Sequence, residues 1–481
     1  MSDSVNKRVV IVGGGLAGMA CAVALETLRW RGVQVTLLES RHALGGRASS
    51  FEDQENEAEL LDNCQHVLLG CCTNLIDLYK RLGVSELITF YRYVHYLDTA
   101  GRRHDLWGVD GLPAPLHLGP AMALFSALTF GERIAVMRAM VAMLALGRAG
   151  RDKLETMSFG DWLDANAQPA SVVTKFYDPV LISALNEETR RASAKYAIQV
   201  FQEAMLANAN GYLIGLPNCA LAKLYEKGPC EDLRLSTRVD EILFAPRPTA
   251  HGPRPTGVKL RGGEEIQADT VVLATNYHAV QRWVSEELQT SDTRFEGLAK
   301  LESVPILGVH LWFDRPVMKL PFAALIEAPD GGEFGGGLQW LFRKDAEGKV
   351  LHGVISASRA WVNVPKDEAL KKFEKQVRSL FVDARHAKLE RGVIVIEKRA
   401  TYSPGPGCDA LRPLQGPPVG GIEGLFLAGD YTATGWPATM EGAVRSGYLA
   451  AEAVAKSLGI DAKFMVADLP VEWPARMMGL R

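Results

Sequence analysis

Gly13, Gly15 and Gly18 stand in the run Gly13-Gly14-Gly15-Leu16-Ala17-Gly18, directly after the apolar stretch Arg8-Val9-Val10-Ile11-Val12. That spacing suits a diphosphate. The first glycine allows a tight turn, the second lets the backbone approach the pyrophosphate, and the third lets a helix pack closely on a strand. A helix opening here offers the backbone N–H groups of Leu16 and Ala17 and the positive end of its dipole to phosphate oxygens. Glu39 ends the next apolar run, where a carboxylate accepts hydrogen bonds from a ribose 2′-OH. GxGxxG by itself is a weak signal; a strand before it, a helix after it and Glu39 at the expected distance strengthen it.

Beyond Glu39 come Ser40-Arg41 and then Gly45-Gly46-Arg47. A strand-ending acid, a short spacer and Gly-Gly-Arg resembles the pattern of FAD-dependent oxidoreductases of the amine oxidase and phytoene desaturase superfamily. The resemblance implies FAD as cofactor and sets Glu39, Ser40, Arg41, Gly46 and Arg47 against it. A guanidinium suits that place, being planar and permanently charged. Near the other end, Leu425-Phe426-Leu427-Ala428-Gly429-Asp430 reads as a buried strand closing in Gly-Asp. In the superfamily this acid holds the ribityl chain, whose hydroxyls a carboxylate accepts strongly. Pro437, Ala438 and Thr439 follow, with Pro437 read as an early residue of a helix whose dipole points at the flavin. Val239, within a strand read over 233–243, completes the expected cofactor set.

Three separated segments resemble a narrower group, the squalene-associated FAD-dependent desaturases or hydroxysqualene dehydroxylases. They are Asp62-Asn63-Cys64-Gln65-His66-Val67-Leu68-Leu69-Gly70, Tyr177-Asp178-Pro179 through Asn186, and Leu427 through Gly447. The resemblance implies reduction of hydroxysqualene to squalene in squalene and hopanoid biosynthesis, with hydride from reduced FAD and loss of water. A general acid would protonate the leaving hydroxyl. Asp178, His66 and Glu441 are the candidate acids, with Asp62 and Tyr431 behind them. Each also has a plain structural role open to it: Asp178 as a helix cap, His66 bonded to backbone, Glu441 holding the helix beside the flavin. Two positions depart from the group's pattern. Cys64 stands where the group has glycine, which would be strained if the turn needs positive φ. Asp178 replaces a longer glutamate.

Other readings stay open. Oxidative desaturation of a carotenoid-type polyprenyl lipid and amine oxidation use the same cofactor. A flavin-binding prenyl-lipid carrier is a non-catalytic reading. An NAD dehydrogenase is disfavoured by the Gly429-Asp430 block. An amine oxidase should show aromatic residues around the flavin and a lysine near its N5, and neither is evident. The direction of electron flow and the external electron donor are not written in these residues.

The elements that must position these groups form an α/β chain of 481 residues. Buried strands of parallel type fall at the beginning, middle and end, which predicts a discontinuous Rossmann-like FAD-binding domain over 1–70, 211–280 and 400–460. Residues 71–210 and 281–399 are then an inserted α+β substrate-binding domain with a helical, apolar portion, and 461–481 are a C-terminal tail. From Thr73 onward the pattern reads as mostly helical, including an amphipathic stretch over 125–148. A net charge of −3 gives no basic surplus for nucleic acid. Seven cysteines without a CxxC pair or Cys/His cluster fit a reduced cytoplasmic protein with no metal site. Adjacent Cys71 and Cys72 read as buried small residues or a strained disulfide. Segment 111–131 has no Asp, Glu, Lys or Arg, but Pro113, Pro115 and Pro120 argue against a spanning helix. With Met137, Met140 and Met143 beyond it, this stretch is expected to be core, to line a tunnel for a long apolar polyprenyl substrate, or to touch a membrane surface peripherally, on its inner face.

Overall fold

The computed structural model describes residues 7–53, 59–245, 253–326 and 336–481. Its first strand, Lys7–Val12, has alternate residues in two different cores: Val9 and Ile11 pack in one, Val10 and Val12 in the other. A strand whose side chains alternate faces can be apolar at every position only if both faces are covered. Five parallel strands form this central sheet in the order Asp232–Arg234, Val33–Leu38, Lys7–Val12, Thr270–Leu273, Leu425–Leu427. Strands from the beginning, middle and end of the chain thus lie side by side.

Helix Leu16–Glu26 follows directly, with Gly13 to Gly15 used in the turn before it. It packs against Met440–Ser457 so closely that a Cβ on Gly447 would lie 2.2 Å from the carbonyl oxygen of Ala17. That second helix begins at Met440, with Thr439 as its cap accepting the Gly442 N–H; Pro437 therefore lies in the preceding turn and not in the helix. The single strand expected over 233–243 is two strands. Asp232–Arg234 joins the parallel sheet, and Val239–Phe244 opens a three-stranded antiparallel sheet. Ser236, at φ +51°, turns the chain between them.

The larger sheet has seven strands in the order Leu389–Tyr402, Ser303–Phe313, Val350–Ile355, Trp340–Arg343, Phe322–Leu325, Tyr93–Leu97, Arg103–Trp107. Its last two members, Tyr93–Leu97 and Arg103–Trp107, correct the helical reading after Thr73, as does Ile88–Tyr91 in a separate three-stranded sheet. Tyr96 and Leu106 are buried on one side, and the polar residues between them hid the pattern. Helices follow. Phe130–Asp152 is fixed at its start by a capping box between Thr129 and Glu132, and is kinked at Gly147. Phe159–Ala165 is capped as its sequence predicts, with Ser158 accepting the Asp161 N–H. Residues 461–481 pack onto the body: Asn208 donates to the Pro470 carbonyl, and Ala475 and Leu480 are fully buried. All seven cysteines are free thiols. Among the described residues no helix is long and apolar enough to cross a membrane.

Candidate functional site

The glycine turn is built from steric necessity. Gly13 adopts φ +112°, and a Cβ there would lie 2.6 Å from the Ala274 carbonyl oxygen. A Cβ on Gly18 would sit 1.9 Å from the oxygen of Gly13, so this position closes helix onto strand. Gly15 differs. Its nearest neighbour would be the Cα of Gly46 at 3.9 Å, so the turn opens on that side. No side chain caps the helix that Gly15 begins, which leaves first-turn amides of Leu16 and Ala17 to an outside acceptor. Gly45 and Gly46, both at positive φ, bring a second backbone segment alongside. The result is a backbone-lined cradle, which fits a diphosphate.

Glu39 is buried beside it. Its carboxylate accepts the Gly14 N–H at 2.7 Å, the Arg41 N–H at 2.8 Å and the Ser40 hydroxyl at 3.1 Å. A carboxylate has about four lone-pair sites, so one remains for a sugar hydroxyl. The Ser236 and Thr237 amides donate to the carbonyls of Arg41 and Glu39, which brings Val239, two residues on, to the same edge. Arg41 is turned back onto the Gly46 carbonyl.

Arg47 and Asp430 meet from opposite ends of the chain. The guanidinium donates to Asp430 Oδ1 at 2.6 Å and to the Ala400 carbonyl, and 37% of the Arg47 side-chain surface stays open. Five donors less these two leave N–H groups for a phosphate or a flavin carbonyl. Asp430 follows Gly429, whose N–H is held by the Ser446 hydroxyl at 2.8 Å. Behind the loop lies Arg412, which sequence reasoning missed. Its buried guanidinium donates to the carbonyls of Asp430, Thr432 and Trp436 at 3.2, 2.5 and 2.8 Å. Gln415 holds Thr432 and Ala433 in the same way. An isolated arginine in an irregular segment carries no periodic signal, so only the fold reveals this support.

The three candidate acids fall in different surroundings. Glu441 is fully buried and saturated: it accepts the N–H groups of Asn74 and Leu75, the Asn74 amide and the Arg445 guanidinium at 2.7–3.2 Å. It ties Met440–Ser457 to the start of helix Thr73–Arg81, which corrects its reading as a proton donor. His66 bonds the Cys64 carbonyl through Nδ1 at 2.8 Å, and burial lowers its pKa. A neutral imidazole donating from Nδ1 presents an acceptor at Nε2. Cys64 avoids positive φ, so cysteine is unstrained in that turn. Asp178 starts helix Asp178–Leu185 and is half-buried. Burial pushes its pKa up to about 6, while nearby Thr189 and Arg190 oppose the shift. The other end of the helix is moored: Asn186 bonds Val304 and Thr401, and fully buried Glu187 takes both arms of Arg359 at 2.8 and 2.7 Å. Tyr177 Oη donates to Gln168.

Beneath the 62–66 turn lies a cluster that the sequence did not bring together. His310 and His352 are cross-strand neighbours stacked at 3.9 Å, and His310 Nε2 contacts the Asp62 carbonyl. Lys344 bonds Asp62 and Gln65, both at 3.0 Å. Tyr277 and Tyr431 pack at 5.9 Å between ring centres behind the Arg47–Asp430 pair. An aromatic pair and a lysine thus lie near the cradle, although the lysine is held by a carboxylate.

The family profile described as flavin containing amine oxidoreductase matches residues 16–455. The 15-cis-phytoene desaturase of Capsicum annuum is 25% identical over 93% of this chain and 77% of its own length. The zeta-carotene desaturase of Synechocystis is 26% identical over 93% of this chain and 97% of its own. A triple mutant of putrescine oxidase superposes with a TM-score of 0.67 at 16% identity, covering 94% of this chain and 99% of that one.

Proposed function

Since the chain belongs to the flavin-containing amine oxidoreductase family and is an FAD-dependent oxidoreductase, we propose that it reduces hydroxysqualene to squalene. The observation that carries this reading is Asp178, a half-buried carboxyl with its pKa raised to about 6, in the first turn of a helix whose opposite end is moored and whose Pro179 carbonyl accepts the Trp340 indole N–H of the large sheet. Dehydroxylation needs a group that keeps a proton close to neutral pH, and a carboxyl raised by desolvation is such a group. His66, neutral with its proton on Nδ1, is the weaker donor.

FAD, when bound, supplies the hydride exchange. Gly13 to Gly18 and Gly46 would hold its diphosphate, Glu39 its ribose, and Arg47 and Asp430 its ribityl–flavin end. Asp178 would pass its proton to the leaving hydroxyl as the C–O bond breaks and water departs, with the replacing hydride drawn from reduced FAD and its two electrons ultimately from an external donor. Solvent would return the proton to Asp178. Next to Asp178 in the chain, Tyr177 packs edge-on against Phe159, Phe176 and Phe201, which fixes the start of the helix that carries the carboxyl.

Oxidative desaturation of a carotenoid-type lipid is the second reading, favoured by the names of the relatives. An anaerobic single turnover separates the two. Photoreduced protein mixed with hydroxysqualene in detergent should regain the oxidised flavin band and yield squalene. Flavin that stays reduced with hydroxysqualene recovered intact would move the assignment to desaturation.

A further inference from the structure

Helix Phe130–Asp152 carries an apolar stripe on its outer side. Phe130, Ile134, Met137 and Val141 are all exposed, Phe130 by 74%. At about 100° per residue these four positions fall within an arc of roughly 60°. The opposite side, with Val136, Ala139 and Met143, is buried in the core. Arg133 and Arg138 lie about 70° to either side of the stripe on the same wheel. The approach to the helix continues the surface, since Leu116 and Leu124 are exposed too. The C-terminal helix Trp473–Met477 adjoins it. Glu472 accepts the Ala114 N–H, Gly479 packs on Gly147, and Trp473 and Met477 stand out from the body.

We propose that this face is a membrane-docking surface, seated on the interface of a bilayer that contains anionic lipid. The charge pattern selects that occupant. Of the four arginines over 111–151, Arg148 and Arg151 are taken up by Glu203, both at 2.6 Å, which leaves Arg133 and Arg138 toward the surface. Glu132 is buried within its own capping box, so Arg133 and Arg138 are the charges flanking the stripe. Apolar side chains entering the headgroup region between arginines that reach up to phosphates is how interfacial helices bind. Trp473 supplies an aromatic ring of the kind enriched at that depth. The helix kink at Gly147 turns the chain back before the apolar stripe becomes long enough to span, so the docking is in-plane. The inference holds whichever polyprenyl lipid is the substrate.

The test is vesicle flotation of the FAD-loaded protein with phosphatidylcholine alone and with phosphatidylcholine containing phosphatidylglycerol. Binding is expected on the anionic vesicles and to weaken with salt. Phe130→Gln with Met137→Gln should lower partitioning more than about tenfold, since each buried side chain contributes over a factor of ten. Arg138→Gln should lower it roughly fivefold on anionic vesicles only. Flavin content and melting temperature establish that each variant is folded, and the salt dependence of the unaltered protein needs no variant. Absence of flotation by folded holoprotein, or flotation indifferent to these substitutions, overturns the proposal. So does a dimer in light scattering that the same substitutions dissolve, which would assign the face to a second copy.

Discussion

Arg47 Nη2 donates to Asp430 Oδ1 at 2.6 Å across 383 residues of sequence. The pair fastens the glycine-rich opening segment to the loop after the last parallel strand. Asp430→Ala should therefore lower FAD affinity tenfold to about a hundredfold, the range for losing hydrogen bonds to a charged group. Flavin retained through gel filtration, and titration of the apoprotein, measure it.

Gly15 and Gly18 should separate cofactor binding from folding. A Cβ at Gly18 collides with the Gly13 carbonyl at 1.9 Å, so Gly18→Ala should destabilise the fold by about 1–3 kcal/mol and lose flavin as well. A Cβ at Gly15 meets nothing nearer than 3.9 Å, so Gly15→Ala should leave the melting temperature of the apoprotein unchanged and weaken FAD binding alone. Equal effects of both substitutions on apoprotein stability would contradict the cradle geometry.

Asp178 has its pKa raised from the ordinary carboxylate range to about 6. A carboxyl raised on folding favours the protonated native state. Its contribution to stability is thus fully present below about pH 4 and is lost as pH rises through 6. Dehydroxylation should follow the same proton, with kcat/KM falling above about pH 6. Asp178→Asn should lower kcat by about a hundredfold or more and flatten the limb, while FAD binding stays normal. An unchanged pH profile in that variant would remove Asp178 as the acid.

Glu441 makes the contrasting prediction. Glu441→Gln leaves shape intact but weakens the acceptor for two backbone amides and the Arg445 guanidinium. Breaking a buried charged pair is expected to destabilise by about 3–5 kcal/mol. Chemical denaturation should show that loss, and the pH profile of turnover should keep its shape.

Arg412 tests the support behind the Asp430 loop. Arg412→Gln strands the carbonyls of Asp430, Thr432 and Trp436, and should cost about 3 kcal/mol or more together with bound flavin. Arg412→Lys should not rescue it, because a single ammonium cannot span acceptors laid out for a planar fork.

The parallel sheet and the phosphate cradle were legible in the sequence because both are short-range. Strand Lys7–Val12 announces two-sided burial by the unbroken apolar run Val9 to Val12, and Gly13, Gly15 and Gly18 act within one turn of a helix. Local chemistry also marked the cap at Ser158, but the cap at Thr439 was missed because the fixed φ of Pro437 suits a turn as well as a first helical turn. Strands Tyr93–Leu97 and Arg103–Trp107 escaped notice, since His95, His104 and Asp105 interrupt their alternation; His95 and Asp105 meet across the strands and His104 reaches Ser126 only once the chain has folded. Tertiary structure alone decided the surroundings of Asp178, His66 and Glu441. Proton affinity depends on desolvation and on neighbours hundreds of residues away: Glu441 is saturated by Asn74 and Leu75, and Asp178 is raised by burial. Spacing along the chain sets what a turn or helix can bind, but the surroundings of a carboxyl exist only once the chain has closed around it.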